Sequence, residues 1–484
     1  MSKFQAPEAF SPSSASWKLL PFRFERLNSH VLLTNMVGER VAVSESDFAQ
    51  IADDGLPADS ELVRRLRAAQ IIMQPDEKAP LELLALKTRT RYRTLPESTG
   101  LHIFVVSLRC EHACPYCQVS RQSSDTDRFD MSTETARRAL DLTFRSPSQS
   151  LKIEFQGGEP LLNFPLIREI VVEAERRNAQ LGRDLSFVIA TNLALLTDEV
   201  LDFCADHDIY ISTSLDGPAE LHNKNRPRPG RDSWERAVDG IRRVREALGA
   251  DRVAALMTTT ARSLDRVSDI VDCYVEQGLT EIFLRPLSPY GFAVKTKAYS
   301  AYGTDRWLAF YEEGLNYILE LNRKGVGLTE RFAAIILKKM LTNEVPRYVD
   351  LVSPSGIGIG ALVYNYDGDV YASDEGRMLA EMGDETFRLG NVHTASYADI
   401  MLSDSLLQPL EESFAASAPM CSDCAFEPYC GSDPVYHYAT TGDFVGRKPL
   451  SGFCRRNMGV FKLLIDKYET DPHARAVFLD WAGR

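Results

Sequence analysis

The sequence predicts an α/β fold whose largest part is a partial (β/α)6 barrel, with a small α+β unit before it and a cysteine-containing extension after it. Amphipathic helical segments alternate with short apolar runs, which is typical of a parallel sheet covered by helices. Six such runs recur between residues 101 and 290: LHIFVVS, LKIEFQ, LSFVIAT, IYISTSL, RVAALMT and EIFLRPL. Residues 97–300 are therefore expected to form the barrel. In the helical segment SWERAVDGIRRVREALG, Ser233 is the predicted N-cap and Gly249 the predicted end.

The residues ahead of the barrel divide into two parts. Residues 1–18 are rich in Ser, Pro and Ala and are expected to be disordered. Within residues 19–96, HVLLTN and ERVAVS predict two strands, while SDFAQIAD and SELVRRLRAAQII predict two helices. Ser60 is the predicted N-cap of the second helix. The basic run KTRTRYR, residues 87–93, predicts an exposed linker.

The residues after the barrel predict helices and one hairpin. Residues 301–350 are expected to form a helical connection, and residues 351–484 a separate extension. A Gly-rich stretch in the extension favours strands, with Asp367-Gly368 as the turn between them. Acidic residues surround that turn. We assign no catalytic role to Asp367, Asp369, Asp374 or Glu375, because solvated acids are common in such hairpins.

Composition and charge exclude several classes of protein. The formal charge of −13 argues against a nucleic-acid partner, which would require a basic surface. The sequence contains no apolar run long enough to span a membrane and no apolar segment typical of a signal peptide. We therefore expect a cytoplasmic protein, in which cysteines act as ligands or core residues rather than in disulfides. Two of the nine cysteines, Cys204 and Cys273, lie in amphipathic helical stretches and are expected to be buried thiols.

Polar and glycine residues follow the predicted strands at the points where the strands end. Cys110, Cys114 and Cys117 follow the first strand. Further groups follow the second, third and fourth strands, namely Gly157-Gly158-Glu159-Pro160, Asn192, and Ser214 with Asp216. In parallel α/β folds the carboxyl ends of the strands meet at one edge, where ligands bind. These residues are therefore expected to form one active site.

The spacing of the three cysteines suits a metal centre with an open position. Three thiolates, four and then three residues apart, can hold three corners of a [4Fe–4S] cube and leave one iron without a protein ligand. A three-thiolate zinc site or a chance grouping is the alternative.

These motifs, in this order, resemble those of the radical S-adenosylmethionine (SAM) enzymes over about residues 100–300. The three cysteines match the family's cluster motif, and Tyr116 stands just before the last of them, as is usual there. The resemblance implies that the open iron binds SAM and that a single electron cleaves SAM to a 5′-deoxyadenosyl radical. It also implies a set of cofactor-binding residues. These are Tyr116, Gly157 and Gly158; Glu159 for the SAM ammonium group; Asn192 for the methionine part; Ser214 and Asp216 for the ribose; and Arg226 for the SAM carboxylate.

A second group of cysteines, Cys421, Cys424, Cys430 and Cys454, lies in the extension. Four thiolates suit either zinc or a fully ligated iron–sulfur cluster. The pattern resembles the SPASM extension of radical SAM enzymes that modify peptides, although that extension holds two auxiliary clusters. Pro434 replaces one expected cysteine here, and Ser355 and Ser373 stand where others would lie. The resemblance thus implies one auxiliary [4Fe–4S] cluster on the four cysteines.

The remaining resemblances concern the substrate. Residues 19–96 resemble the small winged-helix-like elements that bind leader peptides, although a structural cap on the barrel is an equal alternative. The whole chain is most similar to the His-Xaa-Ser system radical SAM maturases. That similarity implies a precursor peptide or small protein, such as one with His-x-Ser repeats, as substrate. It also implies a flavodoxin- or ferredoxin-like electron donor and a second radical SAM protein as partner. The expected reaction is a crosslink or oxidation in a ribosomally made peptide. The alternatives are a sulfatase-maturase-like modifier of a folded protein and a non-catalytic scaffold that binds a precursor.

Overall fold

The computed structural model describes residues 17–52, 55–342, 344 and 348–483. The chain forms two compact units. Unit 1 comprises Met1–Thr94 with Pro419–Tyr429, and unit 2 comprises Leu95–Ala418 with Cys430–Arg484. Most of the segment predicted to be disordered, residues 1–16, lies outside the described residues. Among the helices that the structure describes, none has the length and hydropathy needed to cross a membrane.

Unit 1 is a small α+β unit in which a three-stranded antiparallel sheet has the order β2-β3-β4. Its elements are β1 (Lys18–Leu19), β2 (Phe22–Arg26), β3 (Val31–Asn35), β4 (Arg40–Val43), α1 (Glu45–Ala52), α2 (Glu61–Ala68), β5 (Ile72–Met73) and α3 (Ala79–Thr90). Alternate apolar residues of β3 and β4, including Leu33 and Val41, pack with Leu66 of α2 in one buried core. The Ser60 hydroxyl accepts a hydrogen bond from Val63 N at 3.2 Å, which confirms the predicted cap.

The prediction of an exposed linker at 87–93 was wrong in part, because Arg89 and Arg93 are exposed but Arg91 is half-buried. The first residues of this basic run belong to α3, and the exposed-linker interpretation missed an ion-pair cluster inside unit 1. Arg91 contacts Glu427 through two guanidinium nitrogens at 2.8 and 3.0 Å, and Arg23 contacts the same carboxylate at 2.9 Å. The Glu427 side chain is fully buried. Two arginines thus compensate one buried charge and attach Pro419–Tyr429 to the rest of unit 1.

Unit 2 is built on a nine-stranded sheet that confirms the predicted partial barrel. Its strand order is β12-β10-β9-β8-β7-β6-β14-β15-β16, and every pair from β12 to β14 is parallel. All six predicted strands are present, although the last is split. The strands of unit 2 are β6 (Leu101–Ser107), β7 (Ser150–Gly157), β8 (Asp184–Ala190), β9 (Tyr210–Ser214), β10 (Val253–Thr258), β11 (Glu281–Ile282), β12 (Leu284–Arg285), β13 (Thr329–Glu330), β14 (Ala361–Tyr364), β15 (Asp369–Tyr371) and β16 (Arg388–Asn391). The short strands β11 and β13 pair separately.

Helices follow the strands of the barrel and cover the sheet. Those within the barrel are α4 (Thr126–Phe129), α5 (Thr133–Thr143), α6 (Phe164–Leu181), α7 (Asp198–Asp206), α8 (Ala219–Asn225), α9 (Ser233–Leu248), α10 (Val267–Glu276) and α11 (Phe292–Lys295). Cys204 and Cys273, on α7 and α10, are buried as predicted. Later helices are α12 (Thr304–Arg323), α13 (Arg331–Leu341), α14 (Asp374–Ala380), α15 (Tyr397–Met401), α16 (Asp404–Glu412), α17 (Pro434–Thr441), α18 (Gly452–Thr470) and α19 (Pro472–Gly483).

The predicted hairpin is part of the barrel sheet. β14 and β15 pair around the turn at Asp367-Gly368, as the sequence predicted, but β14 also pairs in parallel with β6. Val363 of β14 packs with Ile103 and Val105 of β6 in one apolar cluster. The extension therefore contributes a seventh parallel strand, which lies beside the strand that leads into the three-cysteine loop.

Candidate active site

The three-cysteine loop begins directly after β6 and is held by backbone hydrogen bonds to other loops. Ala113 N donates to Pro227 O at 2.7 Å, and Phe292 N donates to Cys117 O at 2.8 Å. At the start of the loop, the Arg109 guanidinium makes a bidentate ion pair with Asp130 at 2.7 and 2.6 Å. These contacts fix the loop at the carboxyl end of the sheet.

The loop forms one wall of a cavity of about 470 Å³, which is a typical size for a small-molecule site. The cavity brings together residues from the ends of four predicted strands, as expected. Nearly all of the predicted first-site residues line it: Cys110, Cys114, Tyr116, Cys117, Gly157, Gly158, Asn192, Ser214 and Arg226. Glu159 and Asp216 are the exceptions, and each lies directly behind the wall.

Asp216 is fully buried and holds two residues of the cavity wall. Its carboxylate makes a bidentate ion pair with Arg226, with both N–O distances 3.1 Å, and accepts a hydrogen bond from the Tyr116 hydroxyl at 2.6 Å. Burial opposes ionisation of Asp216, but Arg226 and His222 outweigh it and lower its pKa. In this structure Asp216 therefore positions Tyr116 and Arg226. Its predicted contact with the ribose stays a prediction.

Glu159 occupies a similar place behind the end of β8. Its carboxylate accepts hydrogen bonds from the Thr191 hydroxyl at 2.7 Å, Asn192 N at 2.8 Å and Leu161 N at 3.0 Å. The side chain has no exposed surface, and burial together with Glu111 raises its pKa to about 8. These contacts orient Thr191 and Asn192, which line the cavity. The Glu159 carboxylate is not exposed at the cavity surface. Its predicted contact with the SAM ammonium group stays a prediction.

The glycines before Glu159 are required by the backbone of the cysteine loop. A Cβ on Gly157 would lie 1.8 Å from Ser107 O, and Gly157 has a φ of +151°, which favours glycine. A Cβ on Gly158 would lie 2.3 Å from Arg109 O. The two glycines thus allow the end of β7 to approach the residues just before Cys110. Their predicted role in binding the cofactor stays a prediction.

A polar network that was not predicted from the sequence ties the cysteine loop to the barrel. Asn192 Nδ2 donates to Glu111 Oε1 at 2.8 Å, and His112 Nδ1 lies 2.8 Å from the same oxygen. His112 Nε2 lies 2.8 Å from the Ser233 hydroxyl, which also lies 3.1 Å from His222 Nε2. Ser233 was predicted to cap α9, but it is the first residue of that helix and uses its side chain in this network. Glu111 and His112 lie inside the motif CEHAC, so their position was a signal that could have identified them.

The residues present fit a thiolate-ligated cluster with a polar ligand beside it. Three thiols face one cavity, and burial raises the pKa of Cys114 to about 12, so a metal is needed to hold it as thiolate. The buried hydroxyl of Thr213 lines the same cavity and has no hydrogen-bond partner among the described residues. A buried polar atom of this kind needs a partner, which a bound polar cofactor can provide.

The acids of the extension have different surroundings. Asp367 accepts hydrogen bonds in the β14–β15 turn from Asn365 Nδ2 and Asp369 N. Asp374 pairs with the buried Arg377 at 2.9 Å. Asp374 and Glu375 both line the cavity of about 470 Å³, which we call the cofactor cavity.

The second cysteine group is distributed over both units, with Cys421 and Cys424 in unit 1 and Cys430 and Cys454 in unit 2. Within unit 2, Asn457 Nδ2 lies 3.7 Å from Cys430 Sγ, and Asn457 is on α18 one turn after Cys454. Pro434 is the first residue of α17, a position that proline favours. Ser373 caps α14 by accepting a hydrogen bond from Gly376 N. The auxiliary cluster on the four cysteines stays a prediction.

Comparison with known proteins agrees with this geometry. Residues 104–272, which contain the cysteine loop and most of the barrel, match the sequence model of the radical SAM superfamily. The chain belongs to this superfamily. It is therefore a radical SAM enzyme that uses SAM and a [4Fe–4S] cluster, rather than a scaffold without catalytic activity.

Among relatives of this radical SAM enzyme, a serine-type anaerobic sulfatase-maturating enzyme of Bacteroides thetaiotaomicron is 24% identical over 383 residues. The match covers 74% of this chain and 88% of the relative. The solved structure of native anSMEcpe with bound AdoMet has a TM-score of 0.61 at 16% identity, covering 80% of this chain and 99% of that one. Streptococcus suis SuiB bound to precursor peptide SuiA has a TM-score of 0.54 at 15% identity, covering 90% and 98%. This chain shares the radical SAM fold with both structures.

Proposed function

We propose that this chain is a radical SAM maturase that abstracts hydrogen from a ribosomally made peptide or small protein and leaves a crosslink or an oxidised residue. The observation that carries the proposal is that three thiols and several polar side chains from the ends of β7, β8 and β9 line one cavity. The peptide substrate is supported by SuiB, which has the same fold and was solved with its precursor peptide.

Within this proposal, Cys110, Cys114 and Cys117 hold the cluster, and the wall residues hold SAM. When bound together, cluster and SAM supply a one-electron cleavage that yields a radical able to remove hydrogen from an unactivated carbon. Arg226 presents a guanidinium to the cavity and suits a carboxylate. Asp216 and Glu159 act as positioning residues, because they hold Tyr116, Arg226, Thr191 and Asn192 in place.

The finer features of the proposal concern the biological setting. We propose membership of the His-Xaa-Ser system, with a small His-x-Ser repeat protein as precursor and a second radical SAM protein as partner. A cytoplasmic flavodoxin- or ferredoxin-like protein would supply the electron. The small sheet of unit 1 would bind the leader peptide as an added strand.

A second candidate is a sulfatase-maturase-like modifier of a folded protein. It is favoured by the sulfatase-maturating relative, whose match covers 74% of this chain. Loss of cysteines at Ser355, Ser373 and Pro434 argues against it, since the sequence then retains ligands for only one auxiliary cluster.

Two measurements test the proposal. Anaerobic reconstitution should give about eight iron atoms per chain if two [4Fe–4S] cubes are present, and Cys114→Ala should remove about four of them and abolish formation of 5′-deoxyadenosine. Persistent SAM cleavage in Cys114→Ala would contradict the cluster assignment. Co-expression with small open reading frames encoded beside the gene, followed by mass spectrometry, should show a precursor lighter by two mass units for a crosslink or desaturation. Modification of a co-expressed sulfatase instead would favour the second candidate.

A further inference from the structure

A smaller cavity of about 30 Å³ adjoins the cofactor cavity within unit 2. The two cavities share wall residues, namely Arg285, Tyr348, Asp350 and Glu375. We call this smaller cavity the acid chamber. The acid chamber can hold about one or two groups of the size of a water molecule. Because these four residues belong to both walls, a substrate side chain held in the acid chamber would lie next to the contents of the cofactor cavity.

The charges that line the acid chamber are not balanced. Three carboxylates, of Asp350, Glu375 and Asp433, face two guanidinium groups, of Arg285 and Arg456. Among the residues that the structure describes, none of these five groups has an ion-pair partner within 4.0 Å. The wall thus has a formal excess of one negative charge in a buried place, where an additional cation is favourable.

Two buried polar atoms on the same wall are available to bind a ligand. The Tyr290 hydroxyl has no hydrogen-bond partner among the described residues, and the side chain is 1% exposed. The Oδ1 atom of Asn457, also 1% exposed, is in the same situation and can only accept. Burial without a hydrogen-bond partner is unfavourable for such atoms, so a ligand that donates hydrogen bonds is expected here.

The protonation behaviour of the acids agrees with that expectation. Burial and then the neighbouring Asp350 raise the pKa of Glu375 to about 7, and the same two causes raise the pKa of Asp433 well above its usual range. Both shifts have the same physical causes, which are shielding from solvent and repulsion between neighbouring carboxylates. A bound cation would complete the charge balance.

We propose that the acid chamber binds the ammonium group of a lysine side chain of the substrate, and so selects a peptide with lysine next to the residue that is modified. This inference rests on the proposed function as a peptide maturase. An ammonium group has the size of the chamber, carries the missing charge and donates three hydrogen bonds. A carboxylate would add to the negative excess, and a guanidinium group or an imidazole ring is larger than the space available.

The test is a binding measurement on the reconstituted full-length enzyme with SAM. Three capped tripeptides, Gly-Lys-Gly, Gly-norleucine-Gly and Gly-Glu-Gly, are titrated by saturation-transfer NMR. The lysine peptide should bind at least about tenfold more tightly than the norleucine peptide, as expected for hydrogen bonds to charged groups. Equal binding of these two peptides would overturn the proposal. Tighter binding of the glutamate peptide would also overturn the proposal, because it would show that the arginines of the chamber bind a carboxylate.

Variants make the test specific to the chamber. The double variant Glu375→Gln/Asp433→Asn should lose the lysine preference to within about twofold, because the carboxylate charge is removed at nearly constant volume. The exposed Asp239→Asn should keep the preference. If the double variant still preferred the lysine peptide, the proposal would be overturned. If the double variant does not fold, the comparison of the three peptides on the wild-type enzyme decides the question. Binding needs no turnover, so loss of SAM cleavage with the lysine preference retained would contradict only the proposed function.

Discussion

Asp216 and Arg226 form a bidentate ion pair behind the wall of the cofactor cavity, with both N–O distances 3.1 Å. The Asp216 side chain is fully buried, while that of Arg226 is 14% exposed and faces the cavity. Arg226 also lies over the Tyr116 ring, 5.5 Å from its centroid, and Tyr116 donates to Asp216. One buried carboxylate therefore fixes both a cation and an aromatic ring at the site.

This arrangement predicts that Asp216→Asn weakens SAM binding without removing a residue that lines the cavity. The amide cannot balance the Arg226 charge, so Arg226 and Tyr116 should lose their fixed positions. We expect the Kd for SAM to rise about 10- to 100-fold, which equals about 1.4–2.8 kcal/mol. Equilibrium dialysis with labelled SAM on the reconstituted enzyme measures this. Asp239→Asn, which removes an exposed partner of Arg242, should leave the Kd within about twofold. An unchanged Kd in Asp216→Asn would contradict the positioning role.

The end of β7 lies so close to the cysteine loop that one added methyl group at Gly157 should strongly destabilise the protein. In Gly157→Ala the new Cβ would overlap Ser107 O, and the positive φ is unfavourable for alanine. We expect a loss of about 3 kcal/mol in the free energy of unfolding, together with reduced iron incorporation. Urea unfolding and iron analysis measure the two effects. Gly327→Ala is the matched control, because no atom lies within 4 Å of the position that its Cβ would take and its φ is outside the left-handed region; it should behave like wild type.

The ion-pair cluster of unit 1 predicts that Glu427→Gln is destabilising. The substitution leaves Arg23, 5% exposed, without its buried counter-charge, and it weakens the contact to Arg91. Removing one partner of a buried pair costs about 3–5 kcal/mol. Limited proteolysis should therefore cut unit 1 much faster than in wild type. Glu45→Gln removes an exposed partner of Arg26 and should change the rate little; similar rates in both variants would argue against the buried cluster.

A buried histidine of the barrel predicts that stability falls in mild acid. His102 Nε2 donates to Thr99 O and Nδ1 accepts from the Tyr364 hydroxyl, both at 3.1 Å, which is possible only for the neutral ring. Burial lowers the pKa of His102 from 6.5 to about 4. Between these values the unfolded chain binds more protons than the folded chain, so the stability present above pH 6.5 is progressively lost as the pH falls toward 4.

The size of that loss is about 3 kcal/mol for His102. His102→Gln retains a donor and an acceptor but does not titrate, so its stability should decrease less than that of wild type between pH 7 and pH 4.5. Urea unfolding of the cluster-free protein, followed by near-UV circular dichroism, gives the comparison. The other buried histidines are present in both proteins, so an identical decrease in the two would show that His102 is not responsible.

Much of the fold and site could be predicted because the signals are local. The apolar runs that became β6 to β10 are recognisable within a few residues, as are the Ser60 cap and the turn at Asp367-Gly368. The cysteine spacing and GGEP are likewise contiguous. Errors arose where a local pattern was overruled by packing. Ser233 suits a helix cap by type, but its buried position beside His112 and His222 assigns its hydroxyl to another network.

The barrel, the three-cysteine loop and the strand-end residues follow from the sequence, since they depend on short-range periodicity and spacing. Which distant segments meet becomes apparent only in the folded chain. The tertiary structure pairs β14 with β6 and brings the side chains of His102 and Tyr364, 262 residues apart in the chain, within 3.1 Å of each other. It places Glu427 with Arg23. It also brings Asp350, Glu375 and Asp433 to one wall beside the cofactor cavity. Such contacts depend on complementary shape and charge between surfaces that form only after folding, and no local pattern encodes them.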